Sequence, residues 1–271
     1  MDPTDPAGTR SHRGMSDAVD NTEESVRPSW LVRTLLMALP LGLAFMVPMS
    51  LWIYYKKKHE PEEAGSKLAP MLRQELSAGD FEKYVSVFTN TIGDRGLAQP
   101  ENLATAAGYV ESTMGFANMG YNIQRFPFEA GKFDLVNLVA ELPGTTASAG
   151  TVLVLADYDA ADARGIAALL CLAHAMTGSE HGRTVRFASV VQADAEDAGF
   201  NGAAHLAQKF SDADVDVKRI LLLRPPPKTL PSSWQGVEMV SFAADLADPK
   251  PDVLAMLQRV KEAVEAAADA K

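Results

Sequence analysis

The sequence predicts a three-layer α/β/α domain on a largely parallel, mixed sheet, preceded by one transmembrane helix. Three observations carry this expectation. Near-continuous apolar runs of strand length alternate with helical patterns after residue 79, as a sheet covered on both faces requires. An uncharged apolar run extends from Leu35 to Tyr55. The apolar run VLVLA (Val152–Ala156) ends abruptly in Asp157-Tyr158-Asp159, which puts carboxylates at the strand edge where such sheets place their working crevice.

The chain has 271 residues, 47% of them hydrophobic, enough for one medium-sized domain with appendages. Its formal net charge of -10 argues against attraction to nucleic acid. The single cysteine, Cys171, excludes an internal disulfide and lies in an apolar helical run, where a buried inert thiol is expected.

Residues 1–29 are polar and rich in Pro, Gly, Ser and Asp, and read as a flexible tail. Residues 30–55 read as a membrane-spanning helix, long enough to cross about 30 Å of hydrocarbon. Trp30 marks one interface and Trp52, Tyr54 and Tyr55 the other. The lipid bilayer is therefore one expected partner. Lys56-Lys57-Lys58 stands where a cleaved signal peptide would need small residues, so an uncleaved single-pass anchor is preferred. Residues 56–78 form a charged linker, and the folded domain runs from 79 to 271.

Within that domain, Phe81–Thr91 reads as a helix. Pro100 opens a second, with Leu103, Ala107, Val110 and Met114 on one face and Gly120 as its expected end. Strands follow at Tyr121–Phe128, Leu135–Leu142 and Thr151–Ala156. Asp162–Met176 reads as an apolar helix, Thr184–Gln192 as a strand, Glu196–Phe210 as a helix and Arg219–Leu223 as a strand. Val253–Ala268 closes the chain as a helix. Asp157 and Asp159 end one strand and Asp194 another, which places three carboxylates at one edge.

The segments PENLATAAGYVESTMGFANMGYNIQRFPF, NLVAELPG (Asn137–Gly144), TVLVLADYDA, RGIAALLCLAHAM and RTVRFASVVQADAEDAGFNGAAHLA, in that order, resemble the di-zinc aminopeptidase family. That family includes bacterial leucyl aminopeptidases and aminopeptidase Y, with non-proteolytic relatives such as nicastrin and nicalin. The resemblance covers roughly residues 80–223. It implies two zinc ions held by His, Asp and Glu, with a further Glu as general base.

Matched residue by residue, the ligand set is degenerate. The family's His-Tyr-Asp-Ser becomes Asp157-Tyr158-Asp159-Ala160, without the imidazole. The bridging aspartate's place, four before Gly165, is Ala161, with Asp162 one residue off. The paired glutamates become Ala193-Asp194, so the general base is a methyl group. Arg224 stands where the next strand usually carries an aspartate ligand, and His205, on a predicted helix, is the last histidine. Asp157 or Asp159 is therefore expected to pair with Arg164 or Arg224, or to cap the helix beginning near Asp162. No bound metal and no other cofactor are expected, with a weak oxygen-ligated cation as the lesser alternative. After Leu223 about fifty residues remain, fewer than the family spends, so a trimmed domain is expected.

Together these readings imply a membrane-anchored, catalytically inactive pseudo-peptidase. It would serve as a scaffold or accessory subunit beside other membrane protein subunits. The alternatives are an active metal-dependent aminopeptidase with a rearranged site, and a receptor for peptides or small ligands in the old crevice. Lys56, Lys57, Lys58 and Lys67 outnumber Arg27 and Arg33 across the anchor, which argues for a cytoplasmic domain. Anchored members of the family face the other way, and the extracytoplasmic side is preferred.

Overall fold

The computed structural model describes residues 30, 49, 74–191, 201–226, 231–247 and 252–270. The chain divides into two units, Met1–Pro61 and Glu62–Lys271. In the first, Trp30 and Met49 are helical and exposed. The rest of the expected span 30–55, including Trp52, Tyr54 and Tyr55, lies outside the described residues. Among the described residues, no helix is long and apolar enough to cross a membrane.

The second unit is a mixed α/β domain. Helix α1 (Ala78–Ser86) is capped by Ser77, whose hydroxyl accepts from the Asp80 N–H at 3.2 Å, and runs into a π-helical turn, Val87–Ile92. Helix α2 (Pro100–Met114) starts at its proline and buries the four residues whose spacing predicted it. It stops at Gly115 rather than at Gly120. The chain turns there so that Gly115 bridges to Tyr121. Strands β1 (Ile123–Ala130) and β2 (Phe133–Leu142) form a hairpin whose tight turn uses Gly131 at positive φ. Strand β3 (Thr151–Asp157), helix α3 (Arg164–Met176), strand β4 (Thr184–Val190), helix α4 (Gly202–Asp212) and strand β5 (Val217–Leu222) then alternate. Helix α3 begins two residues later than expected.

Strand β6 (Glu238–Ser241) and the short helix α5 (Ala243–Ala247) were not anticipated, while helix α6 (Val253–Ala268) has the predicted bounds. Asn201 and Asp252 cap α4 and α6 through their side-chain oxygens.

The sheet order is β1-β2-β4-β3-β5-β6. The β1–β2 and β2–β4 pairs are antiparallel; β4–β3, β3–β5 and β5–β6 are parallel. All seven residues of β3 are buried, as a central strand covered on both faces must be. Its side chains divide with a period of two. Val152, Val154 and Ala156 enter the core beneath α1, α2, α3 and α6, while Leu153 and Leu155 enter the core beneath α4 and Trp234. Asn137 braces the second side from within. Its amide donates to the Gly202 carbonyl at 2.7 Å, and its oxygen accepts from the Val191 N–H at 3.3 Å.

Candidate functional site

Parallel register builds the crevice. Leu155 of β3 lies opposite Leu222 of β5, so two residues further along Asp157 and Arg224 arrive side by side at the carboxyl ends of their strands. Both are withdrawn from solvent, with 8% and 4% of their surface exposed. Arg224 Nε lies 2.9 Å from Asp157 Oδ2. Of the pairings open to these acids, the buried one formed is therefore Asp157 with Arg224.

A second guanidinium holds the other side of the strand tip. Arg95, in the loop before α2, is buried and donates to the carbonyls of Tyr158 at 3.0 Å and Gly93 at 2.8 Å, and also to those of Phe88 and Ala160. Its Cζ stands 5.3 Å from the centre of the Phe88 ring. Burial lowers its pKa, against which the charge of half-buried Asp159 acts to raise it. Arginine keeps its proton through such shifts, so the loop after β3 closes on a permanent cation.

Tyr158 points inward and donates its hydroxyl to the Val136 carbonyl at 2.8 Å. Burial and the Asp159 charge raise the phenol's pKa, so it stays neutral.

Of the remaining expected positions, the two that are described, Ala161 and Asp162, are exposed. Asp162 is held by Arg164: Nη2 lies 2.7 Å from Oδ2, and the Arg164 backbone N–H donates to Oδ1 at 3.0 Å. Asp162 thus helps cap α3, and its carboxyl is depressed by the Arg164 bonds, which outweigh a burial effect of opposite sign. Ala193 and Asp194 lie outside the described residues.

A pair of zinc ions needs about four donors each, commonly imidazoles and carboxylates. Among the described residues, the donors do not fit that need. Asp157 is neutralised by Arg224 and Asp162 by Arg164. His174 is in the last turn of α3, His205 stacks on Phe128 with ring centres 4.8 Å apart, and His181 binds Asp269 near the start of β4. Among the described residues, no group of three or more His, Cys, Asp or Glu side chains is placed to hold a metal.

Arg95 was missed from the sequence. It lies between glycines in an irregular loop, and its partners are backbone carbonyls as far as 65 residues away, so no local pattern betrays it.

Beside Tyr158, a cavity of about 630 Å³ opens between α2 and the β1–β2 hairpin. Leu103, Ala107, Pro127 and Val136 line it, with Glu111 and Arg125 paired nearby at 2.5 Å.

No family model matches the chain, and no curated protein matches it. Several solved structures are similar in part. The LapA aminopeptidase of Legionella pneumophila is 18% identical over 60% of this chain and 46% of its own, with a TM-score of 0.44. A glutaminyl cyclase from an Acidobacteriales bacterium is 14% identical over 55% of this chain and 59% of its own, with a TM-score of 0.45. A Zn-dependent exopeptidase from Parabacteroides distasonis is 13% identical over 55% of this chain and 61% of its own, with a TM-score of 0.44. In these alignments the chain spans about half to three fifths of the length of each of those proteins.

Proposed function

We propose that this chain is a membrane-anchored pseudo-peptidase, a non-catalytic scaffold or accessory subunit of a membrane protein complex. The observation that carries the reading is the buried Asp157–Arg224 pair. In the family that the sequence resembles, this strand edge holds metal; here a guanidinium supplies the positive charge from within the chain. Arg95 adds a second fixed cation at the same loop. Charges compensated in this way keep the strand tips together without a metal and leave no activated water for peptide hydrolysis. The apolar segment 30–55 supplies the anchor, and an anchored domain meets its partners at raised local concentration. The partners are other membrane protein subunits. The domain lies on the extracytoplasmic side, which protease accessibility on sealed vesicles checks.

Purification of the full chain in mild detergent, with mass spectrometry of co-eluting proteins, tests the subunit role. A stoichiometric membrane protein partner is expected; a chain that elutes alone removes the role. Metal analysis of the same sample and turnover of aminoacyl-naphthylamides test the inactive assignment. Bound zinc with turnover would replace it by an aminopeptidase with a rearranged site.

A second reading rests on the cavity beside Tyr158, whose volume and apolar lining suit a peptide side chain or small ligand. Titration of the domain with a dipeptide set, followed by NMR, checks it, and unchanged resonances for Tyr158 and Val136 would exclude it.

A further inference from the structure

At the opposite edge of the sheet, where β4 begins, the α3–β4 loop meets the end of α6. Ser179 Oγ lies 3.0 Å from His181 Nε2, and His181 Nδ1 lies 3.2 and 3.3 Å from the two carboxylate oxygens of Asp269. The assembly is braced on every side. The Gly182 N–H donates to Asp269 Oδ1 at 3.2 Å, and the Thr145 N–H and hydroxyl both donate to the His181 carbonyl. Arg183 holds the end of α6 through the Ala267 and Ala268 carbonyls. The imidazole is buried, Ser179 is half-buried, and the Asp269 side chain remains 55% exposed. A hydroxyl, an imidazole and a carboxylate in hydrogen-bonding sequence form the arrangement that activates a serine.

We propose that Ser179 is a reactive nucleophile, with His181 as its general base and Asp269 as the residue that orients the imidazole, and that it accepts acyl groups from small activated esters. With the Nδ1 proton directed at Asp269, Nε2 presents a lone pair. The Ser179 hydroxyl proton then has two acceptors, Nε2 and the Met176 carbonyl at 2.6 Å. As Oγ bonds to the acyl carbon, that proton passes to Nε2. The bond from the acyl carbon to the leaving alkoxide or aryloxide breaks, and the imidazolium returns the proton to the leaving group. Water then attacks the acyl carbon and gives its proton to the same nitrogen, and the acid departs as the hydroxyl is restored. Ser179 sits in a turn next to exposed Glu180, which suits short acyl chains approached from solvent. The Glu180 and Asp269 carboxylates favour neutral esters over anionic ones.

The test uses the full chain in mild detergent with p-nitrophenyl acetate and a fluorophosphonate probe, each adduct mapped by peptide mass spectrometry. Both groups are expected on Ser179, and S179A is expected to lose them. H181Q should slow phosphonylation by about 100-fold and D269N by about tenfold, with D269E recovering part of the rate. Circular dichroism and thermal midpoints separate reactivity from folding. S179C provides a second readout, with alkylation by iodoacetamide slowed when H181Q is added. A folded wild-type chain without adduct at Ser179, or equal labelling in folded H181Q, overturns the proposal and leaves the three side chains as a staple between loop and helix. The site lies away from the Asp157 crevice, so labelling at Ser179 would add a catalytic serine to the chain without restoring peptidase chemistry at that crevice, which metal analysis and aminoacyl-naphthylamide turnover test separately.

Discussion

Arg224 Nε stands 2.9 Å from Asp157 Oδ2, and the two side chains are 3% and 9% exposed. A pair withdrawn this far tolerates joint replacement far better than the loss of one member. R224A would leave a buried carboxylate without its cation, and a loss of ~3–5 kcal/mol is expected in urea denaturation. D157L combined with R224M should recover most of that loss. If R224A unfolds at the wild-type midpoint, the pair does not hold the crevice together.

Arg95 is the other cation of the strand tip, and its role differs because it binds carbonyls rather than a carboxylate. The planar guanidinium reaches four carbonyl groups on two separate segments; a lysine ammonium has one centre and cannot span them. R95K is therefore expected to destabilise the domain by roughly 3 kcal/mol despite keeping the charge. Hydrogen exchange should show the loss first in the loop 158–163. Unchanged exchange there would remove the argument.

Strand β3 and helix α6 were legible because each carries one clean signal: an unbroken apolar run for β3, an alanine-rich run for α6. The Asp157–Arg224 contact was legible only as one of several pairings, since choosing among them needs the Leu155–Leu222 register, which the sequence does not carry. Strand β6 escaped notice for a simpler reason. Its four residues, Glu238–Ser241, are none of them buried, so no alternation marks them, and only pairing with β5 defines them. Gly120 misled as a helix end because a glycine signals a break but not which one. Gly115 ends α2, and Gly120 serves the next turn at positive φ.

Gly165, in the RGIAALL stretch, has a reason that only the fold reveals. A Cβ at this position would lie well inside contact distance of the Leu223 carbonyl oxygen, a backbone atom beside Arg224. The first turn of α3 can therefore approach the end of β5 only without a side chain. G165A is expected to cost about 3 kcal/mol by overpacking and to loosen the Asp157–Arg224 pair. Thermal unfolding checks the first effect, and faster hydrogen exchange at Leu223 the second. A wild-type melting temperature would show that α3 can withdraw at no cost.

Cys171 faces the core from the middle of α3, and burial, helped by the Asp80 charge, pushes its thiol pKa up to about 12. The thiolate is the reacting species, so the native chain should leave Cys171 unmodified by a disulfide reagent at pH 8. In denaturant the same thiol should react at the rate of a free cysteine. Prompt labelling of the native chain would mean that α3 opens far more often than its packing implies.

His205 makes the stability of the domain sensitive to acid. Its ring stacks on Phe128, and burial, with the Lys209 charge adding to it, holds the imidazole below its ordinary value of 6.5. The unfolded chain therefore takes up a proton near 6.5, while the folded chain resists until a lower pH. Between those two values the unfolded state binds more protons, so this histidine's effect is to erode stability as pH falls through that window. Above 6.5 both states are neutral and the effect vanishes. H205F keeps an aromatic partner for Phe128 and removes the titration. Its denaturation midpoint should change less than that of the wild-type chain between pH 7 and pH 5, and parallel curves for the two proteins would refute the assignment.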